Sequence, residues 1–487
     1  MVHDSDFRRR CEDVIERIEE TSEYQEFRKQ NLSPDTEERK NAIHYTPIET
    51  VNRYLAAVTV SGAIDWSNID TVLSACEKTG VWAVLAYIYI REFTDKDNPE
   101  ECIHITSRNK DKGRVVHLFE YSTGVPILDD NIHTIDLWFE YNNSNVGKPL
   151  YATEDSATPI FKDILEPIIE KDNRKHRIKG FEANMQFDLV LGNPPYEAPQ
   201  KHDGKKGGGS SLWIPFAEKA LDNLVSSGGY LLYVHPPLYR KPQSDRSWCS
   251  DLQEKYMGNW IQYLNINDTH EGKRVFGAGT RFDVILIQKT DEDGKTLIND
   301  ENGKMHEIDM SNYSWIPNHS FDFVDQFIAE EGEEKTGVIF DRTAYGTDKR
   351  ISHTQKEQEG DYQYPLVHST AKTYDGLKCY YSSTKENGHF GTPKVIVGDS
   401  VNENFGVYSA LVDMEGEYGM TQHAMALPAE SEEEAKKIKK ALESDTFIKI
   451  LDACTWSNFQ LDWRMLRDLR KDWYETVLEI EKQRNND

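Results

Sequence analysis

The chain has 487 residues, with 84 acidic and 57 basic side chains and a formal net charge of −27. This length suits two or three domains, each with its own core. No apolar run is long enough to span a bilayer and no signal peptide is evident, so the sequence predicts a soluble cytoplasmic protein without a membrane partner. The six cysteines form no Cys-x-x-Cys pair, which argues against a zinc site and a disulfide framework, and we expect no metal.

The first segment, residues 1–40, has the pattern of charged amphipathic helices. Apolar side chains recur at helical intervals between charged ones: Phe7, Cys11, Val14 and Ile18. We expect an N-terminal helical arm that packs on the protein or binds a protein partner, without chemistry of its own.

Two features that begin structural elements follow the arm. Thr46 before Pro47 is typical of a helix N-cap with proline at the first helical position. Residues 71–84 then predict a short strand, a turn that contains Gly80 and a long apolar helix. This strand and helix form the kind of βα unit with which cofactor-binding α/β folds begin.

Residues 102–106 predict the second strand, and no acidic residue ends it. Two carboxylates further on are candidates for holding the ribose hydroxyls of a ligand at the sheet edge: Asp136 and Glu140. An aspartate at the end of an apolar strand is also a common cap or turn residue, so both roles stay open for these side chains.

The most informative stretch is residues 187–196, Phe-Asp-Leu-Val-Leu-Gly-Asn-Pro-Pro-Tyr. Its apolar run predicts a buried strand, which Gly192 and the two prolines end. Asn193 therefore stands at the carboxyl end of a strand, and Tyr196 follows a rigid turn. Ligands of open α/β sheets bind at that edge. The structural alternative is a proline-rich turn after a core strand.

The Asn-Pro-Pro-Tyr stretch resembles motif IV of the amino-methyltransferases, which methylate an exocyclic amine with S-adenosyl-L-methionine. The resemblance implies that oxygens of Asn193 and Pro194 accept the two amine hydrogens while Pro195 holds the turn. It also implies that Tyr196 stacks on a base swung out of the duplex. The helix, the Gly-Gly pair, the apolar strand and the Pro-Pro turn that follow are similar to adenine-specific DNA methyltransferases of type II and type IIG restriction-modification systems.

The resemblance extends upstream to the helix start at residue 46. There the Tyr-Thr-Pro turn resembles motif X, which lies against the methionine end of the cofactor, and this implies cofactor contacts from Tyr45, Thr46 and Pro47. Asp163 lies in a segment that resembles motif III, where an aspartate contacts the adenine ring of the cofactor.

Residues 71–84 resemble motif I, which reads acid-Pro-x-x-Gly-x-Gly in this family. The resemblance assigns cofactor contacts to Ser74, Ala75 and Gly80. Lys78 departs from the pattern, since it stands where the first glycine is usual and a lysine resists positive φ.

Basic clusters surround the Asn-Pro-Pro-Tyr stretch although the chain is acidic overall. Each cluster alone suits a solvated face. Their joint position between residues 170 and 275 favours a positively charged cleft for double-stranded DNA, whose phosphates attract lysine and arginine. The side chains expected at DNA in this region are Lys201, Lys205, Lys206, Arg240 and Lys241.

The composition changes near residue 290. We place a methyltransferase catalytic domain at residues 41–290 and a C-terminal α+β domain at residues 291–487, similar to a target-recognition domain. A run of aromatic and basic side chains there suits base reading or, equally, one face of an exposed sheet. Its members are His368, Lys372, Tyr374, Lys378, Tyr380 and Tyr381.

The sequence thus predicts a doubly wound, mostly parallel Rossmann-like methyltransferase sheet with an antiparallel edge hairpin, plus a C-terminal α+β domain. The expected activity is methylation of adenine N6 in a specific double-stranded DNA sequence with S-adenosyl-L-methionine. Two alternatives remain. One is methylation of RNA adenine or of a protein glutamine. The other is a degenerate methyltransferase-like protein that binds DNA or mimics it with an acidic surface.

Overall fold

A computed structural model describes residues 5–22, 24–25, 46–107, 109–128, 131–134, 185–196, 211, 213–243, 247, 249–340, 354–370, 377–386, 388–399, 409–456 and 461–485. The chain forms two compact units. The first unit comprises Met1–Tyr239 and Arg246–Tyr313, and the second comprises Arg240–Asp245 and Ser314–Asp487.

The first unit contains a nine-stranded sheet in the order β3-β2-β1-β4-β5-β7-β6-β8-β9. The strands β3, β2, β1, β4 and β5 are mutually parallel, whereas β7 runs antiparallel to both β5 and β6. This arrangement confirms the predicted doubly wound sheet with an antiparallel edge. The strands are β1 Val72–Glu77, β2 Ile103–Ser107, β3 Ile132–Thr134, β4 Phe187–Gly192, β5 Val225–His235, β6 Trp260–Asn267, β7 Phe282–Gln288, β8 Thr296–Asn299 and β9 Met305–Ile308.

One core joins the sheet to the helices of the first unit at residues 5–19, 48–60, 81–93, 109–123 and 269–276. The helix after β1 is apolar on most of its surface, as expected of an element covered by the sheet on one side and by other helices on the other. The helices are α1 Ser5–Glu19, α2 Ile48–Val60, α3 Val81–Phe93, α4 Asn109–Thr123, α5 Trp213–Lys219, α6 Ser250–Met257 and α7 Thr269–Phe276.

The predicted N-terminal helix exists as α1, but its apolar face is already used within the first unit. Phe7 contacts Tyr89 and Phe93 of α3 edge-on, with ring centroids 5.2 and 5.1 Å apart. Cys11 and Ile18 are buried in the same core. Of the two roles expected for this arm, α1 therefore shows the packing role, because its apolar side chains pack on α3.

The expected domain boundary at residue 290 lies too early. The hairpin of β8 and β9 extends the first sheet, since β8 pairs in parallel with β6 through Tyr263 and Leu297. Residues 240–245 belong to the second unit although they fall inside the predicted catalytic domain. Strand pairing decides the first point, and hydrogen bonds of Arg240 to residues 316–318 contribute to the second. Neither kind of non-local contact is visible in local composition.

The second unit combines two small sheets with helices, in orders β10-β12-β11-β15 and β14-β13-β16. The helices pack around a core that includes Val395, Phe447 and Trp473. Its strands are β10 Thr354–Gln355, β11 Tyr364–Ser369, β12 Lys378–Ser382, β13 Lys394–Gly398, β14 Leu411–Asp413, β15 Gly419–Met420 and β16 Ala424–Pro428. Its helices are α8 Phe321–Val324, α9 Glu432–Leu442, α10 Asp445–Ala453, α11 Trp463–Arg467 and α12 Trp473–Arg484.

None of the helices within the described ranges is long and apolar enough to cross a membrane. Across the same residues, no group of three or more His, Cys, Asp or Glu side chains is placed to hold a metal ion. All six cysteines are free thiols.

Candidate active site

The ends of β1 and β4 lie side by side at the carboxyl edge of the parallel strands. The register pairs Ala75 with Gly192, the last residue of β4. Gly192 has φ of 153°, and a Cβ atom there would lie 2.4 Å from the carbonyl oxygen of Ala75. Only glycine allows this approach, so the residue that precedes Asn193 fixes how closely the two strand ends meet.

Asn193 follows this glycine and contacts the turn before α2. Its side-chain Nδ2 donates a hydrogen bond to Oγ1 of Thr46 at 3.0 Å. Thr46 is 4% exposed, and the neighbouring Pro47 is the N-cap of α2. Two predicted site segments, which are 147 residues apart in the chain, are therefore brought together.

Tyr196 lies beside Asn193 and is 5% exposed. Its ring meets Phe276 of α7 edge-on at a centroid distance of 6.3 Å. Burial raises the pKa of the Tyr196 phenol well above its ordinary value, and the neighbouring Tyr54 and Asp283 act in the same direction while a hydrogen bond with Asn193 opposes them. The phenol is therefore neutral, and in this structure the ring has little free surface for a stacked base.

The turn between β1 and α3 differs from the arrangement expected from sequence. β1 continues to Glu77, so Ser74 and Ala75 lie inside the strand and not at its end. Ser74 is fully buried, and its hydroxyl donates to Oε1 of Glu77 at 2.8 Å. The assignment of a cofactor contact to the Ser74 side chain is therefore corrected, because that hydroxyl is occupied by Glu77.

Glu77 is the residue that the sequence analysis missed. Its carboxylate is 3% exposed and accepts hydrogen bonds from the backbone N–H groups of Gly80 and Ala83, each at 3.0 Å. Burial raises the pKa of this carboxyl, whereas the hydrogen bonds from Ser74, Ala83, Gly80 and Trp82 lower it. An acidic residue just before a Gly-led helix start is the signal that could have identified it.

Gly80 and Lys78 complete the turn. Gly80 is the N-cap of α3 with φ of 91°, a conformation that favours glycine. This agrees with its position at a glycine of the motif I pattern. The Nζ atom of Lys78 is enclosed by protein. Burial raises the pKa of the Cys76 thiol to about 12, and the charge of Lys78 opposes this shift.

The turns before α2 and after β1 meet at Asn193. The β1–α3 turn lies next to Asn193 through the pairing of Ala75 with Gly192, and Thr46 contacts the Asn193 side chain. The N–H groups at the start of α3 that would bind a phosphate are instead bonded to Glu77. The donor set therefore suits a cofactor without phosphate groups.

Several predicted site residues lie outside the described residues. They are Tyr45, Asp136, Glu140, Asp163, Lys201, Lys205, Lys206, Lys372 and Tyr374.

Arg240 is not a DNA-binding side chain in this structure, which corrects that prediction. It is fully buried, and its guanidinium donates to the carbonyl oxygens of Ile316 and Pro317 at 3.2 Å and to Oδ1 of Asn318 at 3.0 Å. Arg240 therefore holds a loop of the second unit. The side chain of Lys241 is 18% exposed, and its Nζ lies 3.7 Å from Oδ2 of Asp462. This lysine therefore forms an ion pair within the second unit.

The candidate base readers divide between the two faces of a small sheet in the second unit. His368 of β11 stacks on Tyr380 of β12 at 4.3 Å, and the ring of His423 meets His368 edge-on at 4.9 Å. Strand alternation places the exposed Lys378 on the same face as Tyr380 and puts Tyr381 on the other face. Burial, together with the charges of His423, Lys378 and Lys356, lowers the pKa of His368 to about 4, so its ring is neutral at pH 7.

Residues 114–276 match the family described as Eco57I restriction-modification methylase. This match covers about a third of the chain and includes Asn193 and Tyr196. A search of curated protein sequences finds no significant match.

Solved structures with a similar fold include several restriction-modification proteins. A nuclease-deletion mutant of the Type ISP restriction-modification enzyme LlaGI with a DNA substrate mimic has 11% identity and a TM-score of 0.48, with 95% of this chain and 57% of that chain covered. The DrdV–DNA complex has 10% identity and a TM-score of 0.45, with 94% and 60% covered. A type I restriction-modification methyltransferase subunit from Streptococcus thermophilus has 13% identity and a TM-score of 0.32, with 54% and 49% covered. The chain spans about half the length of the first structures that it matches.

Proposed function

We propose that this chain is a DNA methyltransferase of the restriction-modification type, which transfers a methyl group from S-adenosyl-L-methionine to N6 of adenine in a specific double-stranded sequence. The observation that carries the proposal is the contact of Asn193 with Thr46 beside the β1–α3 turn. The match of residues 114–276 to a restriction-modification methylase family supports it.

The side chain of Asn193 performs the central step. Nδ2 donates to Thr46, which orients the amide, and the amide oxygen Oδ1 is the atom to which we assign acceptance of a hydrogen from the target amine. The carbonyl oxygen of Pro194 accepts the second hydrogen. These two acceptors pull on both N–H bonds, which draws the nitrogen lone pair out of the aromatic ring and directs it at the methyl group.

When bound, S-adenosyl-L-methionine would supply the methyl group from its sulfonium and would leave as the neutral thioether S-adenosylhomocysteine. The amine nitrogen, held by Asn193 and Pro194, would take up the methyl group and give up one proton to solvent. The protein positions the reactants and needs no metal for this displacement. A target adenine reaches Asn193 only outside the duplex, so the proposal includes base flipping, with Tyr196 and Phe276 moving apart to accept the base.

Two measurements test the proposal. Isothermal titration should detect binding of S-adenosyl-L-methionine to the full chain, and tritium from its methyl group should then be transferred to double-stranded DNA. Transfer to RNA or protein in place of DNA would contradict the assigned substrate and favour the corresponding alternative, methylation of RNA adenine or of a protein glutamine.

A second candidate function rests on Lys78 and on the net charge of −27. Lys78 lies in the turn that would hold the cofactor, and the protein is strongly acidic. Both features suit a degenerate methyltransferase fold that binds DNA without methylating it, or that mimics DNA with its acidic surface. Absence of S-adenosyl-L-methionine binding at millimolar concentration would favour this candidate.

A further inference from the structure

The methyl-transfer mechanism makes no use of the buried carboxylate of Glu77. This carboxylate lies at the end of β1 and accepts hydrogen bonds from the Ser74 hydroxyl at 2.8 Å and from the N–H groups of Gly80 and Ala83 at 3.0 Å. These partners belong to the strand, the turn and the helix. One side chain therefore ties together the three parts of the β1–α3 turn.

The start of a helix carries N–H groups without partners in the helix and a partial positive charge, so it attracts anions. In dinucleotide-binding folds the first helix after β1 uses these groups to bind a pyrophosphate. In this chain the carboxyl oxygens of Glu77 occupy these N–H groups themselves. A phosphate brought to the same place would find these donors already bonded.

We infer that Glu77 is a positioning residue that shapes the β1–α3 turn for the amino-acid end of S-adenosyl-L-methionine and excludes phosphate-bearing nucleotides from it. This inference rests on the proposed function for its choice of cofactor. In dinucleotide-binding folds a glycine-rich loop gives this turn its shape. Here Lys78 stands in place of a glycine, and the hydrogen bonds of the Glu77 side chain hold the turn in shape instead.

The test compares the full chain with its Glu77→Gln and Glu77→Ala variants. The glutamine keeps the size and one acceptor oxygen, so it should fold even if the alanine variant does not. Glu120→Gln, on the exposed surface of α4, is the matched control. Isothermal titration uses S-adenosylhomocysteine and ATP as probes, and hydrogen exchange follows the amides of residues 80–83 without ligand.

We expect the wild type and the control to bind S-adenosylhomocysteine and not ATP. Glu77→Gln should weaken S-adenosylhomocysteine binding about tenfold and admit detectable ATP, because the amide has one acceptor oxygen and cannot bond the N–H groups of both Gly80 and Ala83. The exchange of the amides at residues 80–83 should accelerate at least tenfold in Glu77→Ala and less in Glu77→Gln. Unchanged exchange and unchanged preference between the two probes in Glu77→Gln would overturn the inference.

The exchange measurement separates this inference from the proposed function. If the wild type fails to bind S-adenosylhomocysteine, the proposed function fails. The role of Glu77 as hydrogen-bond acceptor of the turn is still decided by amide exchange and ATP binding. Faster exchange together with ATP binding in the variants would support that role, and the absence of both changes would contradict it.

Discussion

The side-chain contact between Thr46 and Asn193 is the smallest unit on which the proposed chemistry depends. It joins the start of α2 to the end of β4 and orients the Asn193 amide, whose oxygen is the hydrogen-bond acceptor. A buried threonine with a defined partner also stabilises the fold, so its removal has two effects that must be measured separately.

We predict that Thr46→Val lowers the single-turnover rate of methyl transfer about tenfold, equivalent to about 1.4 kcal/mol of activation free energy, because the Asn193 amide loses its fixed orientation. The control is Thr94→Val, which removes a hydroxyl bonded to the carbonyl of Ile90 at the far end of α3. A Thr46→Val chain that reacts at the wild-type rate would show that this contact does not orient Asn193.

Among individual residues, the sequence predicted those whose role depends on local backbone. Asn193 was found because a glycine and two prolines must end a buried strand. Arg240 was misassigned because its partners, the carbonyl oxygens of Ile316 and Pro317, lie 76 and 77 residues away. Glu77 was missed because its role depends on how far β1 extends, which the pairing with β2 decides.

At the scale of secondary-structure elements, the close approach of β1 and β4 at Gly192 holds the two turns of the site in register. We predict that Gly192→Ala destabilises the protein by about 3 kcal/mol, because a methyl group 2.4 Å from the carbonyl oxygen of Ala75 forces the strands apart. Gly279→Ala is the control, since a Cβ atom there meets nothing within 4 Å. Equal free energies of unfolding in urea for the two variants would refute this view of the β1–β4 contact.

The neighbouring pair β2 and β3 carries two buried histidines, His104 and His133, whose ring nitrogens lie 3.2 Å apart. Burial lowers the pKa of both to about 4, from an ordinary 6.5, and for His133 the charge of His104 adds to this effect. Between pH 6.5 and pH 4 the unfolded chain therefore binds protons that the folded chain does not. The stability contributed by the neutral pair is complete above pH 6.5 and is lost as the pH falls.

We predict that lowering the pH from 7.5 to 4.5 decreases the free energy of unfolding by about 2 kcal/mol for each of these histidines. The measurement is urea unfolding of the wild type and of a His104→Gln, His133→Gln double variant at both pH values. The double variant should lose less stability over this range. The same loss in both proteins would mean that these histidines do not produce the pH dependence.

Elements were predicted better than their assembly. The periodic and apolar patterns located α1, β1, α3, β2 and β4, because the side chains of one segment suffice to define them. The boundary at residue 290 was misplaced because β8 resembles an independent hairpin until its pairing with β6 is known.

At the scale of the whole molecule, the net charge of −27 opposes DNA binding, so local cations must supply the attraction. In the second unit the exposed Lys378 shares a sheet face with Tyr380 and His368. We predict that Lys378→Ala reduces the slope of log affinity against log salt concentration for DNA by about one, which corresponds to one lost phosphate contact.

Fluorescence anisotropy with duplex DNA between 50 and 200 mM salt, a range in which phosphate contacts change affinity steeply, measures this slope. Lys436→Ala is the matched control, because Lys436 lies on the exposed face of α9 in an ion pair with Glu432. An equal change of slope in both variants would place the DNA on another surface.

The central claim is that Asn193 activates an adenine amine for methylation. Its most direct test incubates the wild type and Asn193→Ala with tritium-labelled S-adenosyl-L-methionine and genomic DNA from a methylation-free host, followed by nucleoside analysis. We predict labelled N6-methyladenine with the wild type and none with Asn193→Ala, whose affinity for S-adenosylhomocysteine should stay within about threefold of the wild type, since the amide acts on the amine. Full activity of Asn193→Ala, or a wild type that binds the cofactor and labels no adenine, would contradict the claim.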